Sequence, residues 1–265
     1  MSGSRMNGMM MRSLNELSNS RRGKFDSLLT LGVTALRRML EQGLPQTCAL
    51  CTARSHEGQL CAPCMNALPE LGPSCPVCAL PSPTASTCGA CLKHAPRYST
   101  TLAAGAYAYP LDRLVQALKY EHRLSLAHPL GHKLAAIVDR SPSRASLPEA
   151  VIALPLAPSR QRERGFNQSI EIARVVARRL ALPLDSGLVR TGNGAAQASL
   201  PWAQRRRNVR GAFACTQSFA GRHVAIVDDV MTTGATLESA ATALLQAGAA
   251  RVDAWVVART LPPKN

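Results

Sequence analysis

The chain has 265 residues, of which 46% are hydrophobic but only 4% aromatic. This length can form one medium-sized domain and a small accessory one, and the scarcity of aromatic residues favours an α/β or α core over an all-β one. The formal net charge of +15 favours anionic partners, and we find no apolar run long enough to predict a membrane span.

Residues 1–46 begin as a Met-, Ser- and Asn-rich stretch and continue with a weak helical pattern of leucines over residues 28–40. We predict a disordered or helical leader here, with no functional role. Arg21 and Arg22 precede a short apolar stretch, but Asp26 interrupts it and no small-residue cleavage site follows. We therefore expect no export signal and a cytoplasmic location.

The next segment, residues 47–95, holds eight of the nine cysteines in four CxxC pairs, with nine, ten and nine residues between consecutive pairs. Two such pairs supply the four thiolates of a tetrahedral zinc site, so the segment predicts a module with two structural Zn²⁺ ions. The predicted zinc ligands are Cys48, Cys51, Cys61, Cys64, Cys75, Cys78, Cys88 and Cys91.

The four CxxC pairs could combine into two zinc sites in either of two ways. We prefer sequential pairing, in which the first two pairs form one site and the last two form the other, because this closes short loops; interleaved pairing stays open. Disulfides are disfavoured because no export signal is expected. A redox-active CxxC would explain one pair and not four, and His56 and His94 are not needed as ligands because no cysteine is missing.

Residues 98–262 alternate between short β-branched apolar runs and amphipathic segments, which predicts an α/β domain with a parallel sheet. Helices are expected at the apolar repeat that starts at Leu111 and ends at Lys119 and Tyr120, and at 169–182 and 236–247. Strands are expected at 151–154, 224–227 and 252–258.

The most informative stretch runs from the predicted strand at 224–227 through two acids into a loop rich in Thr and Gly that opens a helix. Free N–H groups at a helix N-terminus and threonine hydroxyls suit a phosphate, and adjacent carboxylates suit ribose hydroxyls and Mg²⁺. We assign the sugar and metal contacts to Asp228 and Asp229. The phosphate contacts are assigned to Thr232, Thr233, Gly234, Ala235 and Thr236.

This stretch resembles the motif with which type I phosphoribosyltransferases bind phosphoribosyl pyrophosphate (PRPP). Two further stretches, together with the cysteine pairs, resemble the ComF family of competence proteins. The first, after Leu154-Pro155-Leu156, places Arg164, Gly165, Asn167 and Gln168 beside the pyrophosphate, as the resemblance implies. The second is similar to the family's mobile segment, with possible ligand contacts from Gln197, Arg205 and Asn208.

The resemblance implies a phosphoribosyltransferase fold, PRPP with Mg²⁺ as ligand, and service in DNA uptake and natural transformation. In that role single-stranded DNA and competence proteins, such as a helicase or a recombination mediator, are possible partners. An active phosphoribosyltransferase of nucleotide salvage, with Asp228 and Asp229 as the catalytic residues, is one alternative. The other is a zinc-scaffold adaptor without retained chemistry.

Overall fold

The computed structural model describes residues 46–55, 58–141, 146–191 and 211–262. The chain divides into two compact units, residues 1–61 and residues 62–265. The predicted leader lies outside the described residues, apart from its last position. Within the described parts, no helix has the length and apolar character needed to cross a membrane.

The described part of the first unit is a small β-hairpin that carries the first cysteines. Strand β1 (Gln46–Thr47) pairs antiparallel with β2 (Arg54–Ser55). Between them the Cys48 amide donates to the carbonyl of Ala53, and the amide of Thr52, in the left-handed region at φ 59°, donates to Cys48. This tight turn presents the first CxxC pair.

The second unit contains the other α-helices and strands of the described residues. The helices are α1 (Ala62–Asn66), α2 (Gly89–Lys93), α3 (Leu111–Tyr120), α4 (Ala127–Arg140), α5 (Pro158–Arg164), α6 (Gln168–Leu180) and α7 (Ala235–Gln246). The strands are β3 (Thr101–Ala103), β4 (Ala150–Ala153), β5 (Leu184–Asp185), β6 (Leu188–Arg190), β7 (Phe213–Cys215), β8 (His223–Met231) and β9 (Arg251–Arg259).

Five of these strands form one all-parallel sheet in the order β3-β9-β8-β4-β5. The predicted α/β class with a parallel sheet is confirmed. The central strands β8 and β9 pair from His223 with Arg251 to Met231 with Arg259, so both are longer than predicted. β6 and β7 form a separate antiparallel pair.

The two faces of the sheet are covered by different helices. Alternate strand residues such as Ile152, Ile226 and Ala254 share a buried cluster with Leu237 and Leu244 of α7, as the two-residue period of a strand requires. On the other face, α4 packs against α6. The approach is close at Gly131 of α4, where a Cβ atom would lie 2.7 Å from the side chain of Val175.

The carboxyl ends of the parallel strands lie at one edge of this sheet, which is where α/β proteins place their ligands. The segment after β4 and the segment after β8 both leave the sheet at this edge. The first leads to α5 and α6, and the second leads directly into α7. The topology therefore brings the two predicted ligand-binding stretches to the same edge.

Candidate functional site

The two adjacent acids lie near the carboxyl end of β8, still inside the strand, and each has a partner from another element. Asp229 is 7% exposed, and its Oδ1 lies 2.9 Å from the Nζ of Lys119, at the end of α3. Asp228 accepts a 2.8 Å hydrogen bond through Oδ1 from the hydroxyl of Ser169, in the first turn of α6. The ends of β8, α3 and α6 therefore meet at the acids.

The protonation of Asp228 differs from that of an ordinary carboxyl. Burial raises its pKa to about 7, and the neighbouring charge of Asp229 acts in the same direction, against the hydrogen bond from Ser169 and the charge of Lys119. An additional cation beside this carboxyl group would stabilise its charged form. The pair therefore suits Mg²⁺ together with sugar hydroxyls.

The threonine loop follows without interruption, since only residues 232–234 separate β8 from α7. Gly234, in the left-handed region at φ 81°, is the N-cap residue of α7, and the Thr233 hydroxyl accepts a hydrogen bond from the amide of Ala235. Thr232 is exposed. The predicted phosphate contacts thus lie at the N-terminus of a twelve-residue helix, where the free amides and the helix dipole favour an anion.

Asn167, predicted to bind pyrophosphate, uses both ends of its buried side chain inside the protein. Its Nδ2 donates to the carbonyl of Leu154 at 3.0 Å, and its Oδ1 accepts from the amide of Ser169 at 2.9 Å, which caps α6. The side chain joins the loop after β4 to the start of α6. A direct contact of Asn167 with a ligand stays a prediction.

Arg164 and Gln168 offer buried hydrogen-bond donors at the same edge. The Arg164 guanidinium lies 3.4 Å from the amide oxygen of Gln168. Gly165, directly after Arg164, is left-handed at φ 72° and caps the end of α5. Among the described residues the buried Nε of Arg164 and the buried Nε2 of Gln168 have no hydrogen-bond partner. Unpaired buried donors are costly, which supports a ligand role for this pair.

The eight paired cysteines form two separate groups, and in each the four sulfur atoms lie within 4.8 Å of one another. The groups are Cys48, Cys51, Cys61 and Cys64, and Cys75, Cys78, Cys88 and Cys91. The sequential pairing preferred from the sequence is therefore the one that the structure has. All nine cysteines lie in the described part of the chain and none is in a disulfide.

The spacing of the sulfur atoms matches a tetrahedral zinc site. The Sγ atoms of Cys51 and Cys61 are 3.7 Å apart, as are those of Cys78 and Cys88. Zn–S bonds of about 2.3 Å at tetrahedral angles place neighbouring sulfurs about 3.8 Å apart, far beyond a disulfide bond of about 2.05 Å. Both groups fit structural zinc.

One cysteine of each group is already favoured as a thiolate. Burial opposes the ionisation of Cys75, but hydrogen bonds from backbone amides, including that of Cys88 at 3.3 Å, outweigh it and lower the pKa to about 7. Burial likewise opposes ionisation of Cys48, and the amides of Cys51 and Cys61 are among those that lower its pKa to about 6. Zinc binds the thiolate form, so the backbone prepares both groups for the metal.

Comparison with known proteins agrees with this architecture. The family model "Double zinc ribbon domain" matches residues 39–92, and the model "Phosphoribosyl transferase domain" matches residues 167–262. The DNA utilization protein YhgH of Escherichia coli O157:H7 is 37% identical over 83% of this chain and 98% of its own length. Competence protein F of Haemophilus influenzae is 34% identical over 66% of this chain and 79% of its own. The chain belongs to the ComF family.

Solved structures resemble the ComF-family chain only weakly. A glutamine PRPP amidotransferase from B. subtilis matches with 20% identity over 54% of this chain and 30% of that chain, at a TM-score of 0.37. The assignment of the phosphoribosyltransferase fold rests instead on the family model and on the parallel sheet.

Two residues near the site of this ComF-family chain, Arg190 and Ser169, belong to no sequence motif that would have predicted their place there. Arg190, at the end of β6, has a buried Nε without a hydrogen-bond partner in the described chain, and its guanidinium lies 5.3 Å from the ring centroid of Phe213. Burial lowers the pKa of the Arg190 guanidinium, and the negative charge of Asp228 acts in the opposite direction. The sequence likewise did not predict that the Ser169 hydroxyl donates a hydrogen bond to Asp228. The predicted contacts Gln197, Arg205 and Asn208 lie outside the described residues.

Proposed function

We propose that this ComF-family chain binds PRPP with Mg²⁺ at the carboxyl end of β8 and serves in the handling of DNA during uptake. The observation that carries the proposal is the continuity of the acids with the threonine loop at the N-terminus of α7. A sugar bearing a phosphate at one end matches this order of groups. The names of the curated relatives support the DNA-related role.

In this proposal each part of PRPP has its own partners. Asp228 and Asp229 hold the ribose hydroxyls, the loop from Thr232 to Thr236 holds the 5-phosphate, and Arg164 with Gln168 faces the pyrophosphate. Bound Mg²⁺ supplies positive charge to the pyrophosphate oxygens. Lys119 supplies a positive charge to Asp229 directly, because its Nζ lies 2.9 Å from Oδ1 of the carboxylate.

Transfer of the phosphoribosyl group would be a further step at the same site. An acceptor would form a bond to C1 of the ribose while the bond from C1 to the pyrophosphate oxygen breaks, and pyrophosphate would leave with its electron pair. The described residues would act by orientation and charge stabilisation. A cytoplasmic location, where PRPP and reduced thiols are available, belongs to the same proposal.

Calorimetric titration of the full chain with PRPP tests this binding site. We expect heat of binding in the presence of Mg²⁺, and about tenfold weaker binding for Asp228→Asn, because one charge-assisted contact is worth at least about 1.4 kcal/mol. Asparagine has nearly the same shape as aspartate, and its Oδ1 can still accept the hydrogen bond from the Ser169 hydroxyl. Asp139→Asn, which removes a carboxylate near the end of α4, is the control and should bind like the wild type. Absence of heat for the wild-type chain would refute the proposal.

A specific surface favours contact with single-stranded nucleic acid beside this site. Tyr120 is 64% exposed, and the guanidinium carbon of Arg164 lies 5.1 Å from its ring centroid. The rings of His122 and Phe166 meet edge to face at 5.6 Å, and the exposed Arg162 adds charge. Aromatic rings and arginine planes are the groups on which unpaired bases stack.

The contribution of this surface is measured by fluorescence anisotropy with a labelled oligothymidine at several salt concentrations. We expect salt-sensitive binding that Tyr120→Ala weakens by about tenfold, since stacking on one ring is worth about 1–3 kcal/mol per base. Tyr109→Ala removes a tyrosine that is 75% exposed elsewhere and should change nothing. An equal loss of oligothymidine affinity in both variants, or no loss in either, would contradict a role for Tyr120.

A further inference from the structure

Arg259, the last residue of β9, links the second cysteine group to the phosphate loop. It is 3% exposed, and its Nε donates to the carbonyl of Cys78 at 2.7 Å. Its Nη1 donates to the carbonyl of Met231 at 2.9 Å, to that of Thr232, and to that of Thr260 at 3.0 Å. One buried guanidinium therefore holds a zinc-ligand residue and the first residues of the loop at the same time.

The turn that carries Cys78 is hydrogen-bonded to the first residue of β3. The Thr101 hydroxyl, at the start of β3, donates to the carbonyl of Val77 at 2.6 Å, and the Thr101 amide donates to Pro76 at 2.9 Å. The turn closes on itself through the bond from the Ala79 amide to the carbonyl of Cys75 at 2.9 Å. Any movement of this turn is therefore passed on to the elements that contact it.

A second contact joins the same two regions independently of Arg259. Tyr98, buried, belongs to the cluster that contains Cys75, Cys78 and Cys91. Its hydroxyl lies against Gly234, since a Cβ atom on that glycine would be 2.6 Å from it. The phosphate loop thus packs on side chains that the second cysteine group supports.

A zinc ion bound by the four thiolates would fix the turns that carry them, and with them the position of the Cys78 carbonyl. Without the ion the turn keeps only its hydrogen bonds to β3 and within itself, so the Cys78 carbonyl can shift. The guanidinium that shares its donors between Cys78 and the loop must then move or lose a bond. A shift of about 1 Å in the loop is enough to weaken binding of a phosphate that depends on several amides.

We propose that Arg259 is a positioning residue through which zinc in the second cysteine group orders the phosphate loop for its ligand. The inference rests on the proposed PRPP site and adds a regulatory property to it: loss of this zinc, or oxidation of its thiolates, lowers affinity for PRPP. Because coupling between two binding events is reciprocal, PRPP in turn raises the affinity of this group for zinc.

The test combines two readouts on the full chain, namely affinity for Mg²⁺ and PRPP by calorimetry and hydrogen exchange of the amides in residues 231–236. Arg259→Lys keeps the charge but cannot reach all four carbonyls. We expect about tenfold weaker PRPP binding and faster exchange. Arg251→Lys, at the opposite end of the same strand in a pair with Asp253, should leave both unchanged.

A second pair of variants tests the metal itself. Cys88→Ser removes one thiolate of the second group and should raise loop exchange and weaken PRPP binding, whereas Cys215→Ser, outside both groups, should do neither. Unchanged exchange and affinity in both Arg259→Lys and Cys88→Ser would overturn the inference while leaving the PRPP site intact. If the wild type binds no PRPP, the proposed function fails, and the exchange data still decide whether zinc orders the loop.

Discussion

Replacement of Gly234 by alanine is expected to weaken the proposed phosphate site strongly and to destabilise the protein by about 2–4 kcal/mol. The residue is left-handed at φ 81°, and a Cβ atom there would lie 2.6 Å from the Tyr98 hydroxyl and 2.7 Å from the Met231 side chain. Either the ends of these two side chains or the loop must then shift, and alanine is strained in the left-handed backbone in both cases. Displacement that costs two charge-assisted hydrogen bonds weakens PRPP binding by about 100-fold or more.

Gly221 provides the matched control for this substitution. It is also left-handed, at φ 72°, but has nothing within 4 Å of the position of a Cβ atom. Gly221→Ala should therefore cost about 1 kcal/mol from backbone conformation alone and leave PRPP affinity unchanged. Thermal unfolding and calorimetry measure both effects. Equal behaviour of the two variants would show that the crowding at Gly234 is unimportant.

Removal of zinc is expected to have the largest effect on folding. The segment with the cysteines has few apolar residues, and structural zinc contributes about 10–16 kcal/mol of apparent binding energy in small modules. We expect two zinc ions per purified chain, one for each cysteine group. A strong chelator should unfold the module, with loss of its circular dichroism signal and a lower melting temperature.

Single cysteine variants show which group a zinc ion occupies. Cys88→Ser should reduce the zinc content measured by mass spectrometry to about one ion per chain, because only one group remains complete. Cys215→Ser should retain both ions, since Cys215 belongs to neither group and its thiol donates to the carbonyl of Ala243 at 3.5 Å. Two ions in Cys88→Ser would contradict the independent four-cysteine sites.

Features encoded in short stretches of sequence could be predicted well. The pattern that begins at Leu111 predicted α3 with its end at Tyr120, and the helix predicted at 236–247 agrees with α7 (Ala235–Gln246) to within one residue at each end. The CxxC spacing predicted both cysteine groups. These features depend on neighbours within one or two turns of chain, so a single sequence contains the information.

Contacts between distant segments could not be predicted in the same way. The ion pair of Lys119 with Asp229 and the four bonds of Arg259 depend on how helices and strands meet, and no local pattern marks them. β8 continues through Asp228 because this acid pairs with Val256 of β9, although polar residues weaken the apolar signal of a strand. Asn167 has the residue type of a ligand donor, and only its position shows that it caps a helix.

The short connection between β8 and α7 has a consequence for variation among relatives. The three residues 232–234 are too short a connection to absorb an extra residue. One inserted residue would therefore have to bulge outward or turn the helix by about 100° about its axis. The second outcome would carry Leu237 and Leu244 away from the sheet. We therefore expect relatives to keep the number of residues between the acids and the helix constant, because the packing of α7 on the sheet depends on it.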